Sequence, residues 1–62
     1  MNDADKMIAE LANTIMDMWE VDSGDRDDAY PHARALASKT VARRGLHAVH
    51  HFIEVFDSMQ WG

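Results

Sequence analysis

Between Leu46 and Gln60, apolar residues recur every three or four positions: Leu46, Val49, Phe52, Ile53, Phe56 and Met59. At about 100° per residue they share one side of a helix, widened by Ala48 and Val55. His47, His50, His51, Glu54, Asp57 and Ser58 take the other side. The apolar side spans roughly half the circumference, more than a surface helix in so short a chain requires. The pattern predicts a helix over 46–60 that donates most of the core and offers its surplus to a partner.

The same period runs through residues 3–20. Met7, Ile8, Leu11, Ile15, Met18 and Trp19 line one face, opposite Lys6, Glu10, Asn13, Asp17 and Glu20; Met16 falls on the polar side beside Ala9. Asn2 or Asp3 can cap this helix, and acids in its first turn suit the positive end of the macrodipole. The run VDSGDRDD (21–28) is the one clear break. Ser23-Gly24 should stop the helix, and the aspartates favour turns, which makes 21–27 an acidic linker. A helix over 28–44 follows, capped by the last aspartate, with Pro31 in a first turn that tolerates it.

Tyr30, Ala33, Leu36, Ala37, Thr40 and Val41 share a face of that second helix. Its alanines make the face flat enough for close approach by another helix. Gly45 stands where a left-handed residue ends a helix, and Leu46 opens the next one directly. Trp61-Gly62 either frays or lays its indole over an edge of the core. Residues 1–62 thus form a single all-α domain, an antiparallel three-helix bundle or a helical hairpin with a third arm.

Size sharpens this picture. A chain of 62 residues buries only about 60% of the surface its unfolded form exposes. A staple or a partner is needed, and with no cysteine there is no disulfide and no thiolate metal site. Homodimerisation through helix packing is the expected remedy. No apolar run is long enough to span a membrane, and MNDADK lacks the pattern of a signal peptide, so the expected setting is cytoplasmic.

Charge is divided along the chain. Residues 1–28 carry nine acids against Lys6 and Arg26, a net of −7, whereas 29–62 carry Arg34, Lys39, Arg43 and Arg44 against Glu54 and Asp57, a net of +2. Such asymmetry steers partners, and its acidic half repels phosphate, which argues against simple nucleic-acid binding.

Candidate chemistry adds little. The aspartates of the linker miss the calcium-loop register, since from Asp22 the third and fifth positions are Gly24 and Arg26, and from Asp25 the fifth is Ala29. His47, His51 and Glu54 stand a turn apart and could hold zinc or another divalent cation, but HHxxE is not the H-E-x-x-H pattern. TVARRGLHAVHHFIEVF has the outline of a helix-turn-helix, yet positions that should be apolar fall on His51 and Glu54. No nucleophile motif or phosphate loop is present, and no cofactor or enzymatic role is expected.

Interaction remains. Five methionines and two tryptophans suit an adaptable contact surface, with Trp19, Phe52, Phe56 and Met59 as apolar interface candidates. The leading expectation is a protein-binding protein: an inhibitor, adaptor or regulatory subunit. Its acidic surface (Asp17, Glu20, Asp22, Asp25, Asp27, Asp28) would occupy a basic groove that normally holds nucleic acid. Small acidic proteins of phages and mobile elements offer an analogy of size and charge. The alternatives are a dimeric DNA- or RNA-associated regulator using Arg34, Lys39, Arg43 and Arg44, and a metal-binding protein using the histidines. No motif is specific enough to name a family.

Overall fold

The chain forms three helices, α1 (Asp3–Met18), α2 (Arg26–Arg44) and α3 (Leu46–Trp61), with no strand among the described residues. The computed structural model describes residues 3–61, with side chains through Met59. Asn2 as a cap and the Trp61 indole as a cover therefore lie outside the described residues.

α1 stops before Ser23-Gly24 is reached. Glu20 adopts φ 57°, its N–H donates to the Asp17 carbonyl at 3.1 Å, and the Val21 N–H donates to the Met16 carbonyl at 3.1 Å. This pair of reversed bonds is a Schellman motif, with a glutamate in the left-handed position where glycine is the usual occupant. The motif folds Val21 back onto the buried cluster. The Asp25 N–H then donates to the Asp22 carbonyl at 2.9 Å, and the Asp25 carbonyl accepts from Ala29 at 3.0 Å, which starts α2 at Arg26.

That start differs from the sequence expectation in two ways. Asp25, not Asp28, stands at the N-cap, and its side chain makes no capping bond; Asp27 and Asp28 instead place charge in the first turn, where the macrodipole favours it. Pro31 becomes the sixth residue of α2 rather than part of its first turn. The helix continues through it, leaving the Asp27 carbonyl without its usual amide donor.

A single residue joins α2 to α3. The Gly45 N–H donates to Val41 at 2.9 Å and its carbonyl accepts from Val49 at 3.2 Å. Its φ of 85° and ψ of 159° are not the helical left-handed values expected, but an extended positive-φ conformation that glycine alone adopts readily. Thus α3 leaves α2 abruptly.

The core is centred on α1, not on α3. Its buried apolar residues are Leu11, Ala12, Ile15 and Met16 from α1, Ala33 and Ala37 from α2, and only Val49 from α3. Ala33 and Ala37, one turn apart and fully enclosed, meet the expectation that α2 offers a flat face. Thr14 is also buried, its hydroxyl donating to the Glu10 carbonyl at 3.1 Å. Three assignments, on α1 and just past its end, are reversed. Met16, placed on the polar side, is 2% exposed, whereas Met18 and Trp19, placed on the core face, are 44% and 48% exposed. Lying between two helices gives α1 a buried arc wider than one stripe, and the returning Val21 helps to cover Met16. Met18 and Trp19 lie within that arc by angle, but at the end of the helix, where its neighbours no longer cover it.

Dimensions of 30 × 29 × 20 Å complete the picture. The 19 residues of α2 are about 28 Å long. Three helices of such length side by side would give one long axis and two short ones. Two equal long axes mean that one helix lies across the others, and α3, which packs more lightly on α1 and α2 than they do on each other, is that arm.

Candidate functional site: an apolar groove and an acidic corner

Because α2 packs through alanines and α3 crosses rather than aligns, the three helices leave an open groove of about 370 Å³. Leu11, Ile15 and Met18 of α1 form one wall, Leu36, Thr40 and Arg44 of α2 a second, and Ala48, Val49 and Phe52 of α3 the third. Thr40 presents little polarity there, since its hydroxyl donates to the Leu36 carbonyl at 2.9 Å. Arg44 is the one charge in the lining, its aliphatic stem able to lie along apolar surface while the guanidinium reaches water.

Among the expected apolar interface residues, Phe52 lines this groove and is 43% exposed. Phe56 is half-buried. Met59, 71% exposed, borders a separate shallow hollow with His51, Glu54, Val55 and Ser58. Trp19 is exposed at the end of α1. Sequence reasoning missed Met18, Leu36 and Val55 as exposed surface; Arg44, which helix periodicity sets nearer the edge of the packed face than the other cations of α2, lines the groove. The signal available for Leu36 was its neighbours. A leucine on a face whose contacts are Ala33 and Ala37 stands taller than the packing it flanks, and part of it stays uncovered.

The amount of uncovered surface is unusual. The chain exposes 4669 Å², whereas a monomer of 7.0 kDa is expected to expose about 4,000 Å². The radius of gyration, 11.4 Å, likewise exceeds the value of about 10.5 Å for a compact chain of this length.

The second feature is the corner between α1 and α2. Asp17, Glu20, Asp22, Asp25, Asp27 and Asp28 are all exposed there. Arg26 is half-buried and forms an ion pair with Asp17 that ties the start of α2 to the last turn of α1. The pair also offsets two unfavourable placements, a carboxylate near a helix C-terminus and a guanidinium at a helix N-terminus. Main-chain bonds at Glu20, Val21 and Asp25 hold the rest of the turn. The corner therefore carries six exposed acids on a turn whose backbone is hydrogen-bonded and whose two helices are tied by the Asp17–Arg26 pair, with exposed Trp19 at the end of α1.

The basic residues do not form one stripe. Arg34 is half-buried and donates from Nη1 to the Tyr30 hydroxyl at 3.2 Å, and Arg44 belongs to the groove. Lys39 and Arg43, four residues apart, are left on a common exposed side. The histidines are likewise divided. His47 and His50 border a hollow with Asp3, Lys6, Met7, Glu10 and Leu46, and His51 and Glu54 border the one beside Met59. His50 Nε2 lies 3.0 Å from Glu54 Oε1. Among the described residues no three His, Cys, Asp or Glu side chains are grouped to hold a metal ion, so His47, His51 and Glu54 are not brought together as a ligand set.

No helix among the described residues is long and apolar enough to cross a membrane. Compared with known protein families, curated proteins and solved structures, the chain matches none.

Proposed function

We propose that this chain is a non-enzymatic protein-binding protein, an inhibitor, adaptor or regulatory subunit that works as a homodimer and docks its acidic corner into a basic groove of its target. The observation that carries this reading is the ordered acidic turn with an exposed tryptophan at its edge. A turn already held by main-chain bonds loses little backbone entropy on meeting a partner, and an indole supplies the apolar anchor that such contacts usually require. Backbone hydrogen bonds at Asp22 and Asp25 and the first turn of α2 set where Asp22, Asp25, Asp27 and Asp28 leave the chain, which keeps their charge together on one corner. A basic groove that normally holds a phosphate backbone is the complementary surface, which makes the chain a competitor of nucleic acid rather than a ligand for it.

The test uses DNA itself as the competitor. A cell extract is loaded on DNA-cellulose at low salt, and the column is eluted with the purified protein. Wild type should release a discrete protein, and the release should fall steeply as salt rises. The triple variant Asp25→Lys, Asp27→Lys, Asp28→Lys should release none. Equal release by that variant, or none by wild type, overturns the acidic-corner reading.

A further inference from the structure

The groove between the three helices is not part of the acidic corner, and the geometry points to a specific occupant for it: the α3 helix of a second copy of this chain, docked reciprocally about a two-fold axis. This rests on the homodimer reading above and assigns the surface that carries it.

Exposed area favours a second copy. The surplus over a typical monomer is about 600 Å², close to the roughly 800 Å² that each partner gives to a standard interface. A dimer is thus sufficient to bring the exposed surface to an ordinary value. Shape comes next. On α3 the residues Phe52, Val55 and Met59 are all exposed and stand at i, i+3 and i+7, the spacing with which a helix fills an apolar groove. The ridge and the groove are adjacent, since Phe52 belongs to both. A surface that holds both knob and hole, with one residue shared, is what a two-fold contact requires, because the same patch must serve both subunits.

Charge is compatible with this docking. Arg44 is the charge within the groove lining, at its rim, where the guanidinium can stay in water. Neither acid of α3 follows the ridge into the groove, since Glu54 and Asp57 both lie roughly opposite Phe52 at about 100° per residue, and Glu54 pairs with His50 on that far side.

The experiment is sedimentation equilibrium on the full chain at about 0.1 mM, where any dimer with a micromolar dissociation constant is populated. Wild type should sediment at twice the 7.0 kDa chain mass. Leu36→Lys, which places a charge on an exposed wall of the groove, should give a folded monomer. Val55→Glu, on the exposed ridge of α3, should likewise weaken the dimer by roughly ten-fold or more, whereas Asp57→Lys, on the far side of that helix, should leave it within a few-fold of wild type. Circular dichroism on every variant confirms that the helices persist. A monomeric wild type overturns the homodimer and this inference together, leaving the groove to an unrelated helix. A dimer indifferent to Leu36→Lys, or one weakened as much by Asp57→Lys as by Val55→Glu, overturns this surface while leaving the homodimer standing.

Discussion

α1 and α3 are the same length, sixteen residues each, and α3 is the more apolar of the two. Yet α1 buries Leu11, Ala12, Thr14, Ile15 and Met16, while among the described side chains α3 buries Val49 alone. The difference lies in position. α1 packs on both other helices, so even Met16 on its nominally polar flank is enclosed. α3 departs from α2 through a single positive-φ glycine and packs more lightly on α1 and α2 than they do on each other. Hydropathy measures how much surface a helix would bury if covered; it does not say which helix the chain will cover.

The contrast is broken most forcefully by truncation. Leu11→Ala removes a side chain 2% exposed and should cost about 2–5 kcal/mol, as buried leucines do. Phe52→Ala, on the more apolar helix, should cost under about 1 kcal/mol in the monomer, since partly exposed sites contribute little. Both are to be measured by urea unfolding in the Leu36→Lys background, where self-association adds nothing to stability. Comparable losses from the two variants would mean that α3 is a core helix after all.

The two turns offer the next comparison. Both rely on a residue at positive φ, but one is Gly45 and the other Glu20. A Cβ added at Gly45 would meet no atom within 4 Å, so the penalty of Gly45→Ala is purely conformational and should be about 1–3 kcal/mol. Glu20→Gly runs the other way. Relief of the left-handed strain, about 1–2 kcal/mol, exceeds the added chain entropy of glycine, and a net gain of about 0.5–1 kcal/mol follows. Thermal melts of both variants check the signs. A destabilising Glu20→Gly would show that the glutamate side chain itself holds the turn.

These turns also explain what the sequence made legible. Helix number and type followed from the apolar period, and the break at Gly45 followed from a lone glycine after Arg43 and Arg44. The end of α1 did not, because Ser23-Gly24 carries the usual stop signal while the reversal is made by main-chain bonds at Glu20, whose residue type gives no warning. The groove was illegible for a related reason. Its walls are residues such as Leu36 and Met18 that satisfy the helical pattern, and only the crossing of α3 decides that they stay open. Of the acidic corner, the residues were legible but the shape of the turn that presents them was not, since it depends on main-chain bonds at Glu20, Val21 and Asp25 and on Arg26 reaching back to Asp17.

That reach sets the smallest expected effect. Asp17 and Arg26 keep side-chain exposures of 39% and 37%, so solvent screens the pair and its coupling should be about 0.2–1 kcal/mol. Arg26→Ala alone overstates and understates this at once. It strands Asp17 near the negative end of α1, and it also removes a cation from the positive end of α2. A double-mutant cycle with Asp17→Asn cancels both helix-end terms and leaves the pair. The expected result is a coupling of about 0.5 kcal/mol at low salt that vanishes in about 1 M salt, where screening acts within about 3 Å. A coupling of zero at low salt would assign the whole closure of the hairpin to the backbone bonds of Glu20, Val21 and Asp25. In that case Arg26→Ala should leave the carboxylates as ordered as before and, by removing the one cation among them, strengthen capture of a basic target.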